Sequence, residues 1–112
     1  MSGDTYQGPT DAQRLLIDTC LQRGVPFWWR SPGTLLISGA GARDIINRVE
    51  SSGQKVIGLE GFELESAVIH PRLDLIYDAS ISPGGAAAAA TEWGEEIWID
   101  ITLGTPRQSD PD

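Results

Sequence analysis

From Ile97 to Leu103 the chain alternates without a break, with Ile97, Ile99, Ile101 and Leu103 set against Trp98, Asp100 and Thr102. A side-chain period of two belongs to a β-strand, so one face of this segment is buried and the other meets water or a partner. Such a strand is not stable alone. It needs sheet neighbours and a second layer over its apolar face.

The covering layer is legible as helices. Thr10 with Gln13 three residues later forms a capping-box pattern, and Asp11 in the first turn suits the positive end of the helix dipole. Ala12, Leu15, Leu16 and Cys20 recur at helical spacing, with Ile17 and Leu21 widening the stripe, before Gly24 and Pro26 stop it. This predicts a helix over 10–23. Ala42, Ile45, Ile46 and Val49 predict a second over 42–52, ended by Gly53, with Gly39-Ala40-Gly41 read as a loop before it. The Ala86–Ala90 run continuing to Trp93 predicts a short third helix over 85–93, against the alternative of a low-complexity loop.

Sheet neighbours come from the remaining apolar runs. The stretch Pro26-Phe27-Trp28-Trp29-Arg30 and the stretch Leu35-Leu36-Ile37-Ser38 flank Ser31-Pro32-Gly33-Thr34, which is hairpin chemistry. Lys55–Gly61 reads as a strand, and Phe62-Glu63-Leu64-Glu65 as its half-exposed continuation. Ala67–His70 is another short strand, and Pro71 belongs at a sheet edge or a boundary. Residues 73–78 read as strand, with a short helix begun by Pro71 over 71–80 as the alternative. The expected order is α-β-β-α-β-β-β-(α)-β, an α+β fold of two or three helices layered on a mostly antiparallel sheet. With 112 residues in all, this is one domain over 10–104, between a flexible 1–9 and a disordered acidic tail at 105–112.

Charge divides the chain. Residues 1–58 carry five acids and six bases, whereas residues 59–112 carry eleven acids and only Arg72 and Arg107. The net charge of −8 argues against nucleic acid and anionic membrane as partners, because their phosphates would be repelled. No apolar run has the length of a membrane span, no basic-then-apolar leader is present, and a single cysteine makes no internal disulfide. The expected setting is the cytoplasm, as a monomer or homodimer.

Catalytic chemistry finds little support in the residues. The Gly39-Ala40-Gly41 turn lacks the lysine of a P-loop, and an acid, Asp44, stands where a dinucleotide fingerprint has its third glycine. His70 is the one histidine, and neither it nor Cys20 has a partner at zinc-like spacing, so no metal or cofactor is expected. An enzymatic or ligand-binding alternative rests on His70 with Asp74 or Asp78 for proton transfer. A further alternative is a self-associating structural or phage accessory protein.

The four tryptophans point elsewhere. Trp28 and Trp29 are adjacent on a strand and so face opposite ways, and Trp98 lies on the polar side of its strand. Aromatic anchors ringed by charge are typical of protein interfaces. An acidic, tryptophan-bearing face made of Glu60, Glu63, Glu65, Trp29, Glu95, Glu96, Trp98 and Asp100 is expected to bind a basic protein.

Gly58-Leu59-Glu60-Gly61-Phe62-Glu63-Leu64-Glu65, followed by Val68-Ile69-His70-Pro71-Arg72-Leu73-Asp74-Leu75-Ile76-Tyr77-Asp78-Ala79-Ser80, resembles small actinobacterial immunity-type proteins. Their pattern has a G-x-E-G-F strand, a P-x-L-D segment and a D-x-S end. The resemblance implies a compact, acidic, cytoplasmic α+β chain that neutralises a toxin by binding it. After Ser80 this chain is rich in alanine and glycine where the pattern leads to a longer amphipathic helix.

Overall fold

The computed structural model describes residues 8–30, 33–82 and 84–104, so the expectations for 1–7 and 105–112 lie outside the described residues. Its order is α1 (Asp11–Arg23), β1 (Phe27–Arg30), β2 (Thr34–Ser38), α2 (Gly39–Ser51), β3 (Lys55–Glu65), β4 (Val68–Asp78), α3 (Ala86–Trp93) and β5 (Trp98–Gly104). The five strands form one antiparallel sheet in the order β1-β2-β5-β3-β4, and the fold is α+β as expected.

The sheet closes through its last strand. β5 lies between β2 and β3, pairing Ile37 with Ile99 on one side and Gly61 with Ile99 on the other. Two β-α-β connections therefore interleave: β2-α2-β3 spans β5, and β4-α3-β5 spans β3. One strand parity carries the core. Leu35, Ile37, Leu59, Ile97, Ile99 and Ile101 are buried together with Leu16 and Cys20 of α1, Ile45, Ile46 and Val49 of α2, and Ala86 and Ala90 of α3. Burial of Cys20 pushes its thiol up to about 12, which leaves it a packing residue and no nucleophile. The alanines of α3 sit four residues apart on the face turned to the core, and α3 packs chiefly on α2.

Local signals set the helix ends. Thr10 Oγ1 accepts from Gln13 N at 3.1 Å while Gln13 Oε1 accepts from Thr10 N at 3.0 Å, the reciprocal capping box. Gly24 adopts φ 70°, and its N–H bonds to the Cys20 carbonyl.

Three expectations are corrected. Gly39-Ala40-Gly41 is no loop: Ser38 caps α2, its hydroxyl accepting from Ala40 N, so the helix starts at Gly39. The helix also ends at Ser51, not 52. A Cβ on Gly39 would fall 2.6 Å from the Gly94 carbonyl oxygen and closer still to that of Ile97, so glycine is there for a close approach to the segment entering β5. Those carbonyls also crowd the helix start with negative dipole, the reverse of a phosphate cradle.

The second correction is strand number. The three strands expected between α2 and α3 are two, because 68–78 is continuous. The β3–β4 register shifts after Glu60, which pairs with Ile76, to Gly61, which pairs with Arg72. Leu73, Asp74 and Leu75 are the extra residues, and Leu75 turns inward to fill the space a side chain on Gly61 would take, at 2.8 Å from its ideal Cβ. β4 is a sheet edge, where Pro71 is tolerated. Together, Pro71 and this bulge interrupt the edge, and the opposite edge strand, β1, is only four residues long.

The third correction concerns Trp29. It lies opposite Leu35 and packs against the core, while Trp28, opposite Leu36, takes the other face.

The β3–β4 turn is made by Ser66 and Ala67, at φ 50° and 65°. Two central residues with positive φ define the hairpin turn that Asn-Gly adopts at least cost. Replacing Ser66→Asn together with Ala67→Gly is therefore expected to raise stability by about 1 kcal/mol. Urea denaturation checks this, and an unchanged or lower midpoint would show the turn to be unstrained.

Candidate functional site

Strand parity divides the expected interface residues among three places. Glu63 and Glu65 share a parity and project on the helix side of β3, at the end of the β3–β4 hairpin that runs past Trp98, the last partner of β5. There they meet the loop that follows α3. Glu63, Glu65, Glu95 and Glu96 line one groove of about 760 Å³ with Leu64, Arg72, Trp93, Gly94 and Ile97. Arg72 is the one cation in that lining, and it is already engaged. Its guanidinium donates to Asp74 at 3.0 and 2.8 Å and to Glu63 at 2.8 Å. Those carboxylates hold the guanidinium pKa well above its ordinary value, and Arg72 in turn lowers that of Asp74. Glu65, Glu95 and Glu96 have no lysine or arginine partner among the described residues. Half-buried Trp93 lies among them.

Glu60, Trp98 and Asp100 stand on the face opposite the core cluster that α1, α2 and α3 cover. Trp98 lies between Ser38 and Phe62, and Asp100 lies across from Glu60. Trp28 and Leu36 share that face, and Leu36 has 0% exposure although it is outside the core cluster. Asp100 is half-buried. Its burial, followed by the nearby charge of Glu60, pushes the carboxyl up to about 6.

Trp29, in the third place, is half-buried on β1 and packs against the core on the helix side.

The proton-transfer set is not assembled. His70 is exposed and faces Glu65 at 3.9 Å. Asp74 is clamped by Arg72, and Asp78 accepts from Ser80 N at 2.9 Å and Ser80 Oγ at 2.7 Å. Those bonds lower both aspartate pKa values, which makes each carboxylate a poor base at neutral pH. His70 and Asp78 sit at the two ends of β4, on the order of 20 Å apart at strand rise. Among the described residues no group of three His, Cys, Asp or Glu side chains is placed to hold a metal, and no helix is long and apolar enough to cross a membrane.

Sequence reasoning missed Trp93, Trp28 and Phe62. For Phe62 the signal was present, since residues 60, 62 and 64 of one strand share a face. Trp93 carried none, because its position depends on where α3 ends against the distant β3–β4 hairpin.

No family model matches this chain, and neither a curated protein nor a solved structure shows significant similarity to it.

Proposed function

We propose that this protein is a non-enzymatic binding protein that engages, and thereby inhibits, a basic protein. The observation that carries this reading is the groove in which Glu63, Glu65, Glu95 and Glu96 converge around Trp93, with its one arginine already paired. Such a groove presents negative potential to a partner and an aromatic anchor at the point of contact. The resemblance of residues 58–80 to immunity-type chains makes a cationic toxin the first partner to try. The dispersal of His70, Asp74 and Asp78 supports binding over proton chemistry.

Pull-down from host lysate at low and high salt identifies the partner, and association kinetics with that partner then test the groove. Charge reversal of Glu95 and Glu96 to lysine, or of Glu63 and Glu65, is expected to slow association by about tenfold and to flatten its salt dependence. Unchanged association in both double variants would overturn the reading.

A further inference from the structure

The sheet face opposite the helical core cluster has an order of its own. At its centre two cross-strand pairs stack: Trp98 lies opposite Phe62, and two residues along both strands Asp100 lies opposite Glu60. An aromatic pair on such a face stabilises a sheet, but like charges directly opposite each other work against it. Among the described residues no lysine or arginine bridges to either carboxylate. The face already seats one cation on an indole, since the Arg30 guanidinium lies 5.9 Å from the centre of the Trp28 ring. Beside the carboxylates is a hollow of about 660 Å³, walled by Glu60, Ile57, Ile76 and Thr102, with Lys55 and Asp78 also in its lining.

We propose that this face is a second docking surface, for a cationic polypeptide segment whose lysine or arginine head seats against Glu60 and Asp100 while its stem lies on Trp98 and Phe62. The proposal rests on the basic-partner reading for the class of partner and adds a place separate from the groove. Charge complementarity selects the occupant. An acidic or neutral segment would leave the carboxylate pair repelling itself in a drier setting, whereas a cation removes the repulsion and gains contact with two ring faces. A second copy of this chain would bring the same two carboxylates to the contact and make it worse.

Four tryptophan indole N–H signals in an isotope-labelled sample separate the surfaces, because Trp98 and Trp28 report the sheet face, Trp93 the groove and Trp29 the core. The probe is a ten-residue alternating Ala-Lys peptide, with alternating Ala-Gln as its neutral control. The Lys peptide is expected to shift the Trp98 indole and the Glu60 and Asp100 amides, and Glu60→Gln with Asp100→Asn is expected to weaken that response about tenfold. The Gln peptide is expected to leave it unmoved. Shifts confined to Trp93 would overturn this proposal and leave the groove standing. Equal shifts at all the tryptophans, unaffected by the double variant, would reduce it to general charge attraction and overturn it. No shift anywhere would overturn this proposal, while the groove reading is decided by its own association kinetics. Concentration-dependent shifts without peptide would identify a second copy as the occupant and overturn it too. The amide spectrum of the double variant shows that its fold is intact.

Discussion

Gly39→Ala is expected to destabilise the protein by about 2–4 kcal/mol, although alanine is the better helix former by about 1 kcal/mol. The two effects have opposite signs, and the contact decides. The new methyl would fall against the carbonyl oxygens of Gly94 and Ile97, which are backbone and cannot rotate away. To make room, α2 must lift from the entry to β5, and β5 is the strand that joins the two halves of the sheet. Against a total stability of about 5–15 kcal/mol this is a large loss, a melting temperature lower by about 10 °C or more. Gly85→Ala is the control. Its Cβ would meet nothing within 4 Å, so only the weaker N-cap of α3 counts, and stability should fall by less than about 1 kcal/mol. Thermal melting of the two variants checks the pair, and an increase in stability for Gly39→Ala would mean that α2 does not approach β5 so closely.

Asp100→Asn is expected to stabilise the protein, and only where the parent carboxyl is charged. In the folded chain burial and Glu60 hold its pKa at about 6, while the ordinary value is 3.8. Between those values folding takes up a proton, so this group's contribution to stability is full below pH 4 and is lost as pH rises through 6. Holding a charged carboxylate there costs about 3 kcal/mol at most. The carboxyl still faces water on one side, so about 2 kcal/mol is the expected effect. Asparagine has no charge to desolvate and no repulsion with Glu60. Urea denaturation should therefore show the variant more stable than the parent at pH 7.5 and equal to it near pH 4. A constant difference at both pH values would show that packing, not ionisation, sets the effect. A variant that gains this stability and also loses the proposed cation contact would carry the signature of a residue kept for binding rather than for folding.

The capping box of α1 and the burial of β5 were readable because they depend on residues within a few positions of each other. Thr10 and Gln13 exchange bonds within one turn, and Ile97, Ile99 and Ile101 share a face through strand geometry alone. The interface reading was partly legible by the same rule. Glu63 and Glu65 fall on one side of β3 and Glu60 on the other, because the separation of 60 from 63 is odd. Treating all eight residues as one face ignored that parity. The Trp28 and Trp29 pair was a different matter. Adjacent strand residues must diverge, but which one meets the core depends on the register with Leu35 and Leu36, which the hairpin sets.

The sequence by itself determined the local periods, the stops and the uneven charge, and with them an α+β domain whose acids crowd its second half. Tertiary structure alone decided that residue 39 has to be glycine, because the atoms that exclude a side chain there belong to residues 94 and 97. It decided the bulge at 73–75, because Leu75 packs where Gly61 leaves space. It also decided that the acids form two surfaces, because β5 inserts between β2 and β3 and brings Asp100 beside Glu60, while α3 ends where Glu95 and Glu96 meet the β3–β4 hairpin. Each of these depends on contacts between residues far apart in the chain. Such contacts form by burying area that no local pattern encodes.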